Sequence, residues 1–133
     1  MLSHTAQYAL RAVVTIAEQP EGRPIGAGRL AATLGIPRNY LSKTLHLLAQ
    51  SGVLESTRGK YGGFQLGRPA ARLSLLDIVT LFDDLADRRT CLLGRAVCSD
   101  YNPCAAHSRW KLVGERTAEF FRETTVADLM RQK

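Results

Sequence analysis

The chain has 133 residues, 45% of them hydrophobic, and carries a formal net charge of +6 at pH 7. That length holds one domain, or a small domain with an arm, and the apolar content is enough for a core, which excludes wholesale disorder. No apolar run nears the roughly 18 residues that span a bilayer, the opening MLSHTAQYAL lacks the basic-then-apolar pattern of a signal peptide, and three cysteines are an odd count for a disulfide framework, so the expected location is the cytoplasm.

Residues 3–19 read as a first helix. Ala6, Ala9, Leu10, Val13, Ile16 and Ala17 recur at three- and four-residue spacing. Ser3 or Thr5 can cap its start, and Gln19-Pro20-Glu21-Gly22 ends it. A short helix follows over about 27–34, with Leu30, Ala31 and Leu34 on one face and Gly35 as a left-handed stop. The third helix runs from Pro37 to Ser51, since Pro suits a first helical position and Gly52 a stop. On a wheel of 100° per residue, Arg38, Ser42, His46, Asn39 and Lys43 fall within an arc of about 140°, with Leu45, Leu41 and Leu48 on the other side. One face is basic and hydrogen-bonding; the other is leucine.

Two short helices joined by Leu34-Gly35-Ile36-Pro37 fit a helix-turn-helix. Val53–Thr57 reads as a strand, Arg58–Gly63 as a Gly-rich turn with two cations, and Phe64–Leu66 as a returning strand. This order is that of a winged helix. The expected fold is mainly α with a small β-hairpin: a winged helix-turn-helix over 1–72, then dimerisation helices with a cysteine-rich loop (88–107) over 73–133. The polar face of the third helix is the right size for a major groove, and Arg58 and Lys60 reach phosphate or the adjacent minor groove.

The charge agrees with that division. Residues 1–72 hold nine Lys/Arg against three acids, whereas 73–133 hold nine of each sign. A basic half joined to a neutral half points to a polyanion as the partner of the first.

Beyond Pro69, Leu73–Leu85 reads as an amphipathic helix with Leu75, Ile78, Val79 and Phe82 inward, capped by Ser74 with Asp77 in a capping arrangement. Residues 105–123 form a last long helix. Its Trp110, Val113, Thr117 and Phe120, with Phe121 beside them, make a stripe expected to be the seam of a homodimer.

Between these two helices, Cys91, Cys98, Cys104 and His107 fall together, and the three cysteines lie within fourteen residues. Three thiolates and an imidazole suit a tetrahedral zinc site, an iron–sulfur cluster with one non-Cys ligand or, without the metal, a redox-active thiol pair. The gaps between cysteines exceed those usual in zinc knuckles, which favours iron–sulfur over zinc. No Ser/His/Asp order, phosphate loop or carboxylate pair marks an enzyme.

Over nearly its full length the chain resembles the Rrf2 family of winged-helix regulators. The resemblance is carried by Tyr8–Ala12, by Ile36–Leu41, by the wing Arg58–Gly67 against the signature RGxxGGxxLG, by the three cysteines with His107, and by Thr124–Leu129 against a closing TTLADL. It implies a homodimeric, DNA-binding transcriptional regulator of the IscR-like branch, with no enzymatic activity. Arg38, Asn39, Ser42, Lys43, His46, Arg58, Lys60 and Tyr61 would meet double-stranded DNA. Cys91, Cys98, Cys104 and His107 would hold an iron–sulfur cluster of the two-iron two-sulfur kind, reporting iron–sulfur, iron, nitric oxide or redox status. Two positions depart from relatives: Gln7 replaces an aspartate ligand of one branch, which leaves His107 as the fourth ligand, and Ser42 replaces a glutamate that discriminates between two classes of site. The rival readings are a zinc-binding structural or interaction module and a thiol-based redox regulator without a cluster.

Overall fold

The computed structural model describes residues 2–83 and 107–130. Helix α1 (His4–Ala17) begins where Ser3, in extended conformation, accepts a hydrogen bond from the Ala6 amide, so Ser3 rather than Thr5 is the cap. Its buried positions are Ala6, Ala9, Ala12, Val13 and Ile16, small enough on one side for neighbouring helices to approach closely. A turn of 3₁₀ helix at Pro20–Gly22 ends the segment. Helix α2 (Ala27–Leu34) stops at Gly35, whose φ of +69° is the left-handed cap expected there. Helix α3 (Arg38–Gln50) follows within one residue of the boundaries read from sequence.

Strands β1 (Leu54–Thr57) and β2 (Gly63–Leu66) pair antiparallel, with Leu54 opposite Leu66 and Thr57 opposite Gly63. The hairpin is anchored from outside by Ile25, which exchanges both backbone hydrogen bonds with Phe64. Its tightness is a property of glycine. A Cβ at Gly62 would fall within 2.1 Å of the Thr57 carbonyl oxygen, and one at Gly63, where φ is +149°, within 2.4 Å of the Ile25 backbone.

Helix α4 covers only Leu75–Val79, shorter than the expected 73–85. Leu73 is engaged elsewhere: its carbonyl accepts from the Val126 amide, while the Leu75 amide donates to the Thr124 carbonyl. The capping arrangement at Ser74 and Asp77 is present in both directions. After α4 the chain turns through Thr80, Leu81 and Phe82, and the Asp83 amide donates to the Val79 carbonyl. Helix α5 (His107–Glu123) and a final short helix α6 (Val126–Leu129), capped reciprocally by Thr125 and Asp128, complete the described residues.

The core crosses the expected boundary at residue 72. Leu41, Leu45 and Leu48 of α3 share one apolar cluster with Val13, Ile16, Leu30 and Val53, and also with Leu73, Ile78 and Val126. A smaller cluster joins Ala6 of α1 to Leu75, Val79 and Phe121. Each fully buried Leu or Ile contributes about 1.5–3 kcal/mol, so α4 and α6 are integral to the platform that presents α3.

Candidate nucleic-acid interface

The α2–α3 pair is braced before it meets any partner. The Gly35 turn is closed by the Ile36 amide, which donates to the Ala31 carbonyl. From α1, Arg11 donates through Nη2 to the Leu34 carbonyl at 2.9 Å, satisfying a carbonyl that the end of α2 leaves open. The bracing fixes the angle at which α3 leaves the turn.

Helix α3 divides as its sequence implies. Leu41, Thr44, Leu45 and Leu48 are buried. Arg38, Asn39, Lys43 and His46 are exposed, and Ser42 is half-buried among them. The α3 residues expected to meet DNA are thus on one accessible face of one rigid helix. Arg38 leans back toward α2: its guanidinium lies over Gly28, where an added Cβ would come to 3.5 Å from Cζ. Two α3 side chains missing from the expected set flank this face. Tyr40 is 44% exposed and Leu47 is similarly open. On the wheel both lie just past Lys43, outside the polar arc and outside the leucine face; that intermediate position was the available signal.

Arg58, Lys60 and Tyr61 are all exposed at the tip of the wing, Tyr61 most of all at 83%. The Lys60 ammonium lies 5.7 Å from the centroid of the Tyr61 ring, within cation–π range. Helix α3 and the wing tip are connected through the core: Val53 leads directly from the α3 terminus into β1, and its amide donates to the Leu48 carbonyl.

The other expected sites divide. Cys91, Cys98 and Cys104 lie outside the described residues, and of His107 only its place as the first residue of α5 is described. Among the described residues no group of His, Cys, Asp or Glu is arranged to hold a metal. On α5, Val113 and Phe120 are about half exposed, and Trp110 is about one-third exposed. Thr117 is half-buried and donates its hydroxyl to the Val113 carbonyl, so it brings no unpaired polar group to that face. Phe121 is a correction to the expected seam. It is buried within its own chain against Ala6, Leu75 and Val79, because it lies about 100° around the helix from Phe120, on the side that meets α1 and α4.

No helix among the described residues is long and apolar enough to cross a membrane. Residues 2–132 match the model of the Rrf2 family, described as an iron-dependent transcriptional regulator. A protein of Aquifex aeolicus, provisionally assigned as an HTH-type transcriptional regulator, is 34% identical over 132 residues, covering 98% of this chain and 91% of that one. The transcriptional regulator IscR of Yersinia pseudotuberculosis is 28% identical over 129 residues, covering 97% of this chain and 78% of the relative. Among solved structures, the global cysteine regulator CymR of B. subtilis superposes with a TM-score of 0.81 at 24% identity, over 97% of this chain and 95% of that one. IscR of T. potens does so with a TM-score of 0.77 at 21% identity, over all of this chain and 93% of that one. The matched relatives are regulators of transcription and not enzymes, and the winged helix is the fold they share. With a family match across almost every residue, a helix-turn-helix carrying an open polar face and a basic wing beside it, the chain belongs to the Rrf2 family of DNA-binding transcriptional regulators.

Proposed function

We propose that the chain acts in the cytoplasm as a homodimer that reads a two-part operator and reports the state of a metal cluster. The observation that carries the DNA half is the segregation on α3, with leucines buried and Arg38, Asn39, Ser42, Lys43 and His46 facing out beside the basic wing. Asn39, Ser42, Lys43 and His46 address base edges in the major groove; Arg38, Arg58, Lys60 and Tyr61 address the backbone and the adjacent minor groove. Residues 1–72 supply this surface, and residues 73–133 supply the dimer contact and the sensor loop (88–107). Trp110, Val113, Thr117 and Phe120 form the seam, which sets the distance between the two copies of α3 and so the half-site spacing.

Cys91, Cys98 and Cys104 hold an iron–sulfur cluster with His107 as fourth ligand. Thiolates are the donors iron–sulfur clusters use, and an imidazole is an established substitute for one of them. In sequence the ligands run from the segment after α4 to the first residue of α5, so a bound cluster sits between the DNA-reading half and the seam along the chain. The signal reaches the operator as a difference in cluster affinity between two arrangements of the halves, typically about 1–3 kcal/mol.

The test is chemical analysis and absorption spectroscopy of the chain purified without oxygen. A visible iron–sulfur band with matching iron and sulfide, lost in Cys98→Ala while the protein stays folded and dimeric, supports the reading. Stoichiometric zinc without sulfide, even after reconstitution, replaces it with a structural Cys3His site. Absence of both metals, with oxidation of the thiols changing operator affinity, makes the loop a thiol switch.

A further inference from the structure

We propose that Thr5 and Tyr40 are positioning residues for operator recognition, holding the start of α3 to the start of α1 at the end of α1 that Asp83 also holds. The Thr5 hydroxyl and the Tyr40 phenol are 2.6 Å apart. The Tyr40 ring stands edge-on to Tyr8, with centroids 5.7 Å apart and planes at 86°, a favoured geometry for an aromatic pair. Tyr40 lies one residue from Asn39 and two from Arg38, and it is 44% exposed, so it adds little to the core. Its bonds run sideways to α1 and constrain the first turn of the helix that carries the base-reading side chains.

The first turn of α1 is a junction. Ser3 caps the helix through its hydroxyl, while its amide donates to Asp83 Oδ2 at 2.7 Å. Ala6 packs with Leu75, Val79 and Phe121, on α4 and α5. Thr5 and Tyr8 reach the other way, to α3. A shift of the α4 end relative to α1 therefore passes to Tyr40 through one helical turn, and DNA binding at α3 biases the same contacts in reverse. In sequence, Asp83 stands between α4 and the cysteine-bearing stretch. The inference rests on the proposed reading of α3 as the helix that enters the groove.

The experiment uses the full chain and a duplex selected by the wild-type chain from a random library, with an unrelated duplex as control. Thr5→Val keeps the branched shape and removes the hydroxyl; Tyr40→Phe keeps the ring. Each is expected to lower affinity for the selected duplex about five- to tenfold, and the double variant to lose no more than either single one. Asp83→Ala should lose affinity in the wild-type background and lose none further in the Tyr40→Phe background. The unrelated duplex should not register these changes, and the thermal midpoint should fall alike in Thr5→Val and Tyr40→Phe by no more than the loss of one exposed hydrogen bond accounts for, whereas a merely structural role would move the midpoint without changing affinity for the selected duplex. Additive losses for Thr5→Val and Tyr40→Phe overturn the proposal by making Tyr40 a direct DNA contact. Unchanged affinity in both overturns it as well. If Arg38→Ala and Lys43→Ala also leave affinity unchanged, the reading of α3 fails with it; if those two weaken binding, only the positioning role fails.

Discussion

The α3 face and the α5 face are both surfaces that a solitary winged helix has no use for, but they differ in kind. On α3 every large apolar side chain except Leu47 and Tyr40 is turned into the core, and what remains outward is polar or cationic. Among the α5 residues whose burial is described, Ala118 and Phe121 are buried, while Leu112, Val113 and Phe120 are about half exposed. The first surface is polar and cationic, which suits the proposed contact with DNA. The second exposes apolar area that water penalises, and a second copy of the same helix is the simplest way to cover it. Under the proposed function the contrast separates two energies, electrostatic and salt-dependent at α3, hydrophobic and concentration-dependent at α5.

The largest effect is therefore expected from the seam. Trp110→Ala with Phe120→Ala should yield a monomer by sedimentation at micromolar concentration, with operator affinity lower by about 10²–10⁴-fold because two half-sites are no longer read together. Far-ultraviolet circular dichroism should be nearly unchanged, since neither side chain is part of the buried clusters. A wild-type chain already monomeric at that concentration breaks the comparison outright.

The wing comes next. In Gly62→Val the new Cβ would meet the Thr57 carbonyl at 2.1 Å, so the hairpin must open. The cost is about 1–3 kcal/mol of overpacking, and it should appear both as a lower unfolding midpoint and as weaker binding to all duplexes alike. Gly59 makes the control: a Cβ there meets nothing within 4 Å, but its φ of +111° is unfavourable for any other residue, so Gly59→Ala strains the backbone without a clash. Equal binding by Gly62→Val and wild type would remove the wing from the interface.

Single cations on α3 should cost less than the seam. Lys43→Ala should lose about 1–3 kcal/mol of operator affinity with relaxed sequence preference if it reads a base. Arg38→Ala should weaken all sequences about equally and lower the salt dependence of binding by about one counterion. Swapped behaviour of the two would reassign their roles; unchanged binding in both would sink the assignment of this face.

These expectations rest on features of very different legibility. The helix-turn-helix was readable because its information is local: the leucine spacing, Gly35 in the turn and Pro37 before α3 all lie within one another's reach. The wing was readable from glycine spacing, and the structure supplies the reason, a carbonyl approaching where a side chain would sit. What escaped is held by distant partners. Leu73 looks helical by pattern, yet its carbonyl belongs to Val126. The Thr5–Tyr40 bond spans 35 positions, and nothing near either residue announces it. Phe120 and Phe121 are adjacent in sequence and differ only by a step around the helix, so their division between the exterior and the chain's own core needs the position of α1. Helix α6 was the exception, a missed local signal: Thr125 and Asp128 are spaced as a capping box.

The smallest effect sharpens where the two regions join. Arg68, just past the wing, comes within 3.8 Å of Asp77 in α4, and both side chains are more than 40% exposed. An exposed pair at that distance is worth about 0–1 kcal/mol and is screened by salt. The same Asp77 oxygen also accepts from the Ser74 amide at 3.1 Å, and the Ser74 hydroxyl accepts from the Asp77 amide in return. Ser74→Ala removes that cap at a cost of about 1 kcal/mol. Denaturant unfolding should therefore show a larger loss for Ser74→Ala than for Arg68→Ala, with only the Arg68→Ala loss shrinking in high salt. The reverse order would mean that the ion pair, rather than the shared core around Leu73 and Ile78, fastens α4 to the DNA-reading half.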